Sequence, residues 1–531
     1  MPVTLARLLV SHLRDVGVTA LFGMPGGGSN LDLIEAAGEA GLPFVLAHTE
    51  TAGALMACAQ AEITGRPGAC LATLGPGAAS LVNGVAHAWL DRVPLLAFTD
   101  RHPARLEASQ HQRLDHQAIF GAITKRTLRL GGPRPLEDVQ EAVRLALAAP
   151  RGPIHVDCEA DVMTRPIEPA PVAAGAADSP MPPLPSGTAA LIGRAVRPLV
   201  LAGLGAATPA ASAALRAFCE QHHVPAMVTY KAKGVVPDGH PLFAGVFTNA
   251  TLEAPVLAEA DLLMAVGLDP VELLPKVWAH PQPVIACGPA LAPQAHVPFA
   301  ATVTGPVELS LAQIGASYDR VTEWDEEWLA AQVAGQRQAL RIVAGGLTPF
   351  EAIEIAAGAA GPQARVTVDA GAHMLPATVL WPVAEPRQFL ISNGLSTMGF
   401  ALPAAIGAAV ADRTRRIVAV TGDGGLLMCA AELRTAAREQ LPIVVLVLND
   451  AALSLIDIKQ RGRGHRSAGV QIGDVDWRAL AGAMGVPGWT ARTADELADG
   501  LDRALALAGP SLIDARINAE VYPQTLRAVR G

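Results

Sequence analysis

Residues 417–450 have the sequence IVAVTGDGGLLMCAAELRTAAREQLPIVVLVLND. The apolar runs at 417–421 and 443–448 are typical of short buried strands, and residues 426–440 are typical of a helix that connects them. A strand, a helix and a second strand in this order predict a βαβ unit with parallel strands. Ligands of such sheets bind beyond the carboxyl ends of the strands, so the polar residues that follow the two runs are candidate site residues.

Short apolar runs, Gly or Pro turns and Ala-rich helical stretches alternate in the same way along the whole chain. Shifts in composition divide it into residues 1–165, 186–343 and 344–531, with a Pro- and Ala-rich linker at 166–185. We therefore expect an α/β fold of three domains, each with a mostly parallel sheet flanked by helices. The middle domain is expected to be Rossmann-like.

The composition excludes several classes of protein. Of the 531 residues, 51% are hydrophobic and 17% are charged, which is not the composition of a disordered chain. The net charge of −9 gives no support to a nucleic-acid binder. The apolar runs are far shorter than the roughly 20 residues that a membrane span needs. The six cysteines are widely spaced without a CxxC pair, so we expect a reduced, cytoplasmic, soluble enzyme.

Two aspartates follow the two predicted strands of the opening segment. Asp423 follows the first strand and Asp450 follows the second, so both carboxylates should reach the same edge of a parallel sheet. Two carboxylates there suit Mg²⁺, which binds a few carboxylates together with phosphate oxygens and water. Gly424 and Gly425 would let the backbone approach a phosphate at the start of the following helix.

The residues GDG at 422–424, followed by Asn449 and Asp450, resemble the motif of thiamin diphosphate-dependent enzymes. Residues 65–98 and residues 394–405 (GLSTMGFALPAA) resemble acetolactate synthases, and the resemblance extends across all three blocks. It implies a pyrimidine-binding first domain, a middle domain and a diphosphate-binding third domain.

The resemblance implies which cofactors bind. Asp423, Asp450 and the backbone carbonyl of Ala452 would hold Mg²⁺ against thiamin diphosphate. The family usually has Asn at the position of Asp450, so this carboxylate adds a negative charge beside the diphosphate. Acetolactate synthases also bind FAD, but residues 245–248 and 267–270 lack the charged and histidine residues that do so. FAD stays open, with its absence as the expectation.

The resemblance also implies catalytic roles. Glu50 would bond N1′ of the aminopyrimidine and share a proton with it. Met398 would support the bent form of the cofactor, and Gln112 would face the thiazolium and the substrate. His111 stands where acetolactate synthases have Phe. It would relay protons or bind a substrate carboxylate, or else it belongs to a solvated surface loop. Without the resemblance, Glu50 would be an ordinary first-turn helix carboxylate and Met398 an ordinary core residue.

Besides the metal ligands and the catalytic Glu50, Gln112 and His111, the resemblance assigns residues to cofactor and substrate binding. Cofactor binding is assigned to Glu50, Gly26, Gly27, Met398, Gly422, Gly424, Gly425, Asp423 and Asp450. Substrate binding is assigned to Gly28, Leu453 and Lys459. Lys459 replaces a Trp of acetolactate synthases and begins a basic run at 459–466, whose distal part we interpret as a solvated surface segment.

The function that these features predict is cleavage and joining of C–C bonds next to a carbonyl, as in decarboxylation of a 2-oxo acid with carboligation. One alternative is a simple 2-oxo acid decarboxylase or an acyloin or aldehyde lyase. Another is a catalytically degenerate homologue that only binds the cofactor. The expected substrate is a small 2-oxo acid, ketone or aldehyde. In the family Glu50 and the diphosphate site come from different subunits, which implies an obligate homo-oligomer, either a dimer or a tetramer.

Overall fold

The computed structural model describes residues 3–103, 105–106, 111–167, 181–289 and 297–531. It contains three six-stranded sheets in which every strand pair is parallel, with helices packed against them. The predicted α/β class with three parallel sheets is therefore confirmed. Most of the predicted linker, residues 168–180, lies outside the described residues. Within the described ranges, no helix is long and apolar enough to cross a membrane.

The first sheet has the strand order β2-β1-β3-β4-β6-β5. The amphipathic segment at the start of the chain forms α1, and the side chain of Thr4 caps it by accepting a hydrogen bond from the Arg7 amide. The strands are β1 (Leu21–Gly23), β2 (Phe44–Leu46), β3 (Gly68–Ala72), β4 (Leu95–Arg101), β5 (Arg126–Leu130) and β6 (Ile154–Glu159). The helices are α1 (Leu5–Asp15), α2 (Ser29–Ala40), α3 (Glu50–Thr64), α4 (Pro76–Leu90), α5 (His116–Gly121), α6 (Pro135–Leu147) and α7 (Ala160–Met163).

The middle sheet has the order β12-β11-β10-β7-β8-β9, which is the Rossmann order and confirms the predicted middle architecture. Its strands are β7 (Pro198–Ala202), β8 (Ala226–Val228), β9 (Phe243–Val246), β10 (Leu262–Val266), β11 (Val284–Gly288) and β12 (Phe299–Thr304). The helices are α8 (Thr188–Arg194), α9 (Pro209–His222), α10 (Ala254–Glu259), α11 (Val307–Gly315) and α12 (Glu326–Gln338).

The third sheet, in the order β14-β13-β15-β16-β18-β17, repeats the topology of the first. Its strands are β13 (Arg365–Val368), β14 (Phe389–Ile391), β15 (Ile417–Gly422), β16 (Ile443–Asn449), β17 (Gly488–Ala491) and β18 (Ser511–Arg516). The helices are α13 (Pro349–Ala360), α14 (Met374–Leu380), α15 (Ala401–Ala411), α16 (Asp423–Cys429), α17 (Glu432–Arg438), α18 (Ser454–Gly462), α19 (Trp477–Ala483), α20 (Ala494–Leu505) and α21 (Tyr522–Arg530). We refer to the units around the three sheets as the first, middle and third domains.

The predicted single helix at 426–440 is wrong in two respects. The helix begins at Asp423, directly after β15, and it is interrupted between Cys429 and Glu432. The interruption lies where a tertiary contact forms, because the buried Glu432 carboxylate accepts hydrogen bonds from the backbone amides of His48 and Thr49 in the first domain. Helical periodicity contains no signal for such a distant contact.

The first and third domains share one hydrophobic core, which α3 and α15 form by packing along each other. Both helices are rich in Ala and Gly, so their backbones approach closely. A Cβ atom on Gly407 of α15 would lie 2.0 Å from the carbonyl oxygen of Met56 in α3. Glycine at 407 is therefore required by the packing of the two domains.

A buried lysine connects all three domains. Lys231 of the middle domain places its Nζ 2.6 Å from Glu62 Oε2 and 3.4 Å from Asp91 Oδ2 of the first domain. The same Nζ donates to the carbonyl oxygen of Ile391 in the third domain at 3.2 Å. Burial works to lower the pKa of Lys231, but the two carboxylates outweigh it and raise the pKa overall. The lysine is therefore charged in the interior.

We expect Lys231→Met to destabilise the protein by about 3–5 kcal/mol, because it leaves two buried carboxylates without their cation. Equilibrium urea unfolding would measure the loss. Lys459→Met is the matched control, since Lys459 is exposed and should cost less than about 1 kcal/mol. Equal stabilities of the two variants would refute this role for Lys231.

Candidate functional site

The carboxyl ends of β13, β15 and β16 open into a cavity of about 310 Å³, which we call the third-domain cavity. It lies where the strand order of the sheet reverses, the usual place of a ligand site in such folds. The cavity brings together every site residue that was predicted in the third domain: Met398, Gly422, Asp423, Gly424, Gly425, Asp450, Ala452, Leu453 and Lys459.

Two carboxylates meet in this cavity. Asp423 Oδ1 accepts a hydrogen bond from the Gly424 amide at 2.7 Å, whereas Asp423 Oδ2 is buried without a partner among the described residues. Burial, and then the charge of Asp450, raise the pKa of Asp423 to about 6. Asp450 accepts a hydrogen bond from the Ser454 hydroxyl, and burial raises the pKa of Asp450 as well. An unpaired carboxylate oxygen beside a second carboxylate fits a divalent cation.

The two glycines after Asp423 are closely surrounded by other residues of the third domain. A Cβ atom on Gly424 would lie 2.6 Å from Leu453 Cδ2 and 3.4 Å from Met398 Cε. One on Gly425 would lie 2.2 Å from Asp369 Oδ2. The hydrogen-bonded Asp369 therefore demands glycine at 425, whereas the neighbours of Gly424 are tips of flexible side chains that can shift.

Asp369 is a buried organising residue that the sequence reasoning missed. Its carboxylate accepts hydrogen bonds from the Gly399 and Phe400 amides, both at 3.1 Å, and from the Thr421 hydroxyl at 2.9 Å. These bonds connect the end of β15 to the segment that carries Met398. Burial raises the pKa of Asp369 to about 6. The available signal was its position, since it follows an apolar strand as Asp423 does.

Further lining residues of the third-domain cavity were also missed. His373, at the start of α14, has a buried Nε2 without a partner in the described chain, and burial lowers the pKa of its imidazole to about 4. The ring is therefore neutral at physiological pH. Tyr522 and Arg530 line the cavity from α21, near the end of the sequence. Their distance in sequence from the GDG motif gave no reason to place them there.

The site residues predicted in the first domain gather at the carboxyl ends of β1, β3 and β4. Glu50 begins α3, and its Oε1 lies 3.1 Å from where a Cβ atom on Gly77 would stand. A Cβ on Gly26 would lie 2.5 Å from Asp100 Oδ2, and one on Gly28 would lie 3.2 Å from the same oxygen. We call Glu50, Gly26, Gly28 and their neighbours at this edge the first-domain cluster.

Gln112 joins the first-domain cluster through the turn at Gly75. A Cβ atom on Gly75 would lie 2.5 Å from the carbonyl oxygen of Gln112, and Gln112 has a left-handed φ of 58°. His111 is exposed, and its ring lies 5.9 Å from that of His102. Gly27 has no atom within 4 Å of its Cβ position, so it faces open space.

The first-domain cluster and the third-domain cavity are separate within one chain. Among the described residues that line the cavity, none belongs to the first domain. Glu50 therefore does not line the cavity that Asp423 and Asp450 line. One chain presents two partial sites, each at the point where the strand order of its sheet reverses.

A buried histidine–aspartate pair, which sequence reasoning also missed, supports the turn at Gly75. His116 Nδ1 donates to Asp157 Oδ1 at 2.7 Å, and His116 Nε2 accepts from the Gly75 amide at 3.2 Å. Burial works to raise the pKa of Asp157, but the hydrogen bond from His116 and the proximity of His155 outweigh it and lower the pKa to about 2. The pair thereby holds the turn that faces Gln112.

His116, His155 and Asp157 offer ligand atoms within 4.8 Å of one another, the geometry of a possible metal site. However, Asp157 also accepts from the Thr99 hydroxyl at 2.7 Å and lies 3.3 Å from the Arg101 guanidinium. A bound cation would compete with these donors and would face the arginine charge. The cluster is therefore a hydrogen-bond network.

A larger cavity, of about 770 Å³, lies where the three domains meet, beside the Gly203 turn. The turn is filled by the protein itself. Glu272 is buried and accepts hydrogen bonds from the Leu204 amide at 2.9 Å, from the Asp269 amide at 3.1 Å and from the Thr229 hydroxyl. Burial raises the pKa of Glu272 to about 8. The carboxyl group thus occupies the turn where a nucleotide phosphate would bind in a Rossmann fold.

Comparison with known families agrees with this architecture. Residues 3–119, 186–292 and 369–515 match the family models for the N-terminal TPP binding domain, the central domain and the C-terminal TPP binding domain of thiamine pyrophosphate enzymes. The chain therefore belongs to the thiamine pyrophosphate enzyme family, and it is an enzyme with two thiamin diphosphate-binding domains.

Within this family the chain is similar to acetolactate synthases. It is 30% identical to the acetolactate synthase isozyme 1 large subunit of Escherichia coli, over 98% of this chain and 95% of the relative. It is 30% identical to the acetolactate synthase of Bacillus subtilis, over 97% and 93% of the two chains. The catabolic acetolactate synthase of Raoultella terrigena is 29% identical over 96% and 94%.

The buried His155 predicts a pH dependence of stability. Burial lowers its pKa from 6.5 to about 4, so at intermediate pH the unfolded chain binds a proton that the folded chain does not. The stabilising effect is present above the ordinary pKa and is lost as the pH falls through 6.5 towards about 4. Between about pH 7 and about pH 5 we expect a loss of about 2 kcal/mol from this group.

Urea unfolding of the wild type and of His155→Gln at these two pH values would measure the effect. The variant should lose less stability on acidification than the wild type does. His465→Gln is the control, since His465 is exposed and its replacement should leave the pH dependence unchanged. An identical pH dependence in all three proteins would contradict the assignment to His155.

Proposed function

We propose that this protein is a thiamin diphosphate- and Mg²⁺-dependent enzyme that cleaves the C–C bond of a 2-oxo acid and joins the fragment to a second carbonyl compound. The observation that carries the proposal is the unpaired, buried Oδ2 of Asp423 beside Asp450, in a cavity at the carboxyl ends of parallel strands. The membership of the chain in the thiamine pyrophosphate enzyme family supports it.

In this proposal the third domain binds the charged end of the cofactor. Asp423, Asp450 and the carbonyl oxygen of Ala452 would hold Mg²⁺ against the diphosphate, and His373 borders the same cavity. Met398, whose side chain lies beside Gly424, would support the bent form of the cofactor. Gly422, Gly424 and Gly425 would complete the binding surface.

The first domain would bind the aminopyrimidine. Thiamin diphosphate supplies a carbanion that can be formed and stabilised next to its ring nitrogen. Glu50 would hold a proton at its carboxylate and share it with N1′ of the ring. Gly26 and Gly27 would line the cofactor, whereas Gln112 and His111 would face the reacting carbonyl. Gly28, Leu453 and Lys459 would contact the substrate.

The separation of the two partial sites supports a homodimer as the smallest active unit, with a tetramer as the alternative. Exposed apolar side chains lie near both partial sites, which is typical of surfaces that a second copy covers. Leu31 on α2 is 55% exposed, and Leu427 and Met428 on α16 are 45% and 61% exposed. A dimer would place Glu50 of one chain opposite Asp423 of the other.

The second candidate function is that of a simple 2-oxo acid decarboxylase, and the presence of Lys459 supports it. This exposed lysine stands at the rim of the cavity where acetolactate synthases have Trp, so the acceptor side of the site differs. The distal basic residues of α18 and the following loop are exposed, and Arg461 pairs with Asp457 at 2.7 Å. The function of a cofactor-binding but inactive homologue is the remaining alternative.

The purified protein incubated with thiamin diphosphate, Mg²⁺ and pyruvate should release CO₂ and form acetolactate. The reason is that the proposed site has a cavity for the cofactor and substrate-contacting residues at the rim of that cavity. Chromatography of the products would identify them. Acetaldehyde without acetolactate would support the decarboxylase instead. Absence of turnover with a panel of 2-oxo acids, aldehydes and acyloins would support the inactive homologue.

Paired variants test both the role of Glu50 and the shared site. Glu50→Gln and Asp423→Asn should each be inactive while remaining folded, since each damages one partial site. Random mixed dimers of the two variants should regain about a quarter of the wild-type activity, because half of the dimers contain one undamaged site. Unchanged turnover in Glu50→Gln would overturn its role, and no regain in verified mixed dimers would contradict the shared site.

FAD is not part of the proposed enzyme, because the Gly203 turn does not fit a dinucleotide. Glu272 accepts from the Leu204 amide, and the next two amides, of Gly205 and Ala206, donate to the carbonyl oxygens of Gly267 and Gly203, each at 2.9 Å. No amide of this turn is left for a pyrophosphate. We expect the purified protein to be colourless, also after incubation with FAD and gel filtration. A yellow protein with one bound flavin per chain would contradict this expectation.

A further inference from the structure

The last helix of the chain, α21, borders the third-domain cavity. It packs against α14 and α18, the helices on two sides of the cavity. Tyr522 at its first turn and Arg530 at its last turn both line the cavity. The end of the helix is tied to the middle domain, because the Thr251 amide donates to the Val529 carbonyl at 3.4 Å and Lys276 donates to the Arg530 carbonyl.

The guanidinium of Arg530 carries an unused donor. Its Nε is buried and has no hydrogen-bond partner among the described residues. Two other unpaired buried polar atoms border the same cavity, namely His373 Nε2 and Asp423 Oδ2. An unpaired guanidinium donor and an unpaired carboxylate oxygen around one cavity indicate a ligand with both an anionic part and a cation, since buried polar groups are otherwise paired.

The location of Arg530 favours the side of the cavity formed by α14. Burial raises the pKa of the Tyr230 phenol, while Thr378 of α14 and Arg530 both act to lower it, so both groups are close to this phenol. His373 caps the start of the same helix. Lys459, by contrast, is an exposed residue of α18 at the rim. Arg530 is therefore grouped with α14 and His373 at this cavity.

The negative charges at the cavity favour an additional cationic residue there. Asp423 and Asp450 together contribute two negative charges, one more than an Asp–Asn pair would. A bound Mg²⁺ would offset these two charges. The negative charge of the cofactor's diphosphate would then have to be offset by another cation. A guanidinium forms strong paired hydrogen bonds with phosphate oxygens and always carries its charge.

We propose that Arg530 is a diphosphate-binding residue, whose charge offsets the carboxylate that Asp450 adds to the metal site. The proposal rests on the proposed function, because the anion is the diphosphate of thiamin diphosphate. It makes α21 part of the cofactor site, and it explains why the buried Arg530 Nε is left unpaired at a cavity that two aspartates also line.

Isothermal titration calorimetry with thiamin diphosphate and Mg²⁺ tests the proposal without relying on activity. Arg530→Gln should bind the cofactor about 10- to 100-fold more weakly, since a hydrogen bond to a charged group is lost. Arg527→Gln is the matched control on the same helix, because Arg527 is exposed and does not line the cavity. Its affinity should equal that of the wild type.

The charge balance is tested by a second pair of variants. Asp450→Asn should recover most of the affinity lost in Arg530→Gln when both substitutions are combined, since the double variant restores the net charge. Unchanged affinity in Arg530→Gln, or a higher substrate KM with unchanged cofactor affinity, would overturn the proposal. A double variant no tighter than Arg530→Gln alone would overturn the compensation by Asp450.

Titration with inorganic pyrophosphate and Mg²⁺ separates this proposal from the proposed function. If the wild type binds pyrophosphate in an Arg530-dependent manner but does not bind thiamin diphosphate, the proposed function fails and the anion site stands. If the wild type binds thiamin diphosphate and Arg530→Gln binds it equally well, only the role of Arg530 fails. Binding of neither ligand would overturn both.

Discussion

The interior ion pair at Lys231 is the interaction on which the arrangement of the three domains depends. Its Nζ lies 2.6 Å from Glu62 of the first domain and also bonds a carbonyl of the third. The neighbouring Asp91 accepts from the amides of Asn393 and Gly394, the residues that precede the Met398 segment. Removing a charged group from such a cluster leaves buried charges unpaired, which is far more costly than the loss of a surface pair. The position of Met398 is thus coupled to the contact between domains.

The first and third domains have the same strand order and place their site residues at the same topological position. Each sheet reverses its strand order between its first and third strands in sequence, which opens a crevice at their carboxyl ends. In the third domain this crevice contains unpaired buried groups, Asp423 Oδ2 and His373 Nε2. In the first domain it contains Glu50 at the start of a helix. The two crevices have complementary chemistry but lie apart in one chain, which is the reason for the proposed dimer.

In the middle domain, the backbone amides at the corresponding turn are already paired within the protein. The sheet of this domain has the Rossmann order, and its crevice is bordered by the Gly203 and Gly267 turns. There the buried Glu272 supplies the oxygens that the turn amides need, so those groups are satisfied without a ligand. The contrast is physical: the third-domain cavity retains buried donors and acceptors without partners, whereas the donors of this turn are already paired.

Local patterns were enough to predict the parallel α/β class and the pairing of Asp423 with Asp450, because strand ends and helix starts are encoded within about thirty residues. The resemblance of short motifs added Glu50, Gln112 and Met398.

The break between α16 and α17, the buried carboxylate of Asp369 and the His116–Asp157 pair were not predictable, since each depends on residues distant in sequence. Arg530 is the clearest case. An arginine near the end of an amphipathic helix is normally a solvated residue, and only the packing of α21 at the cavity leaves its Nε buried and unpaired among the described residues. Periodicity encodes what lies on one element, whereas the electrostatics of a cavity are set by which elements meet there.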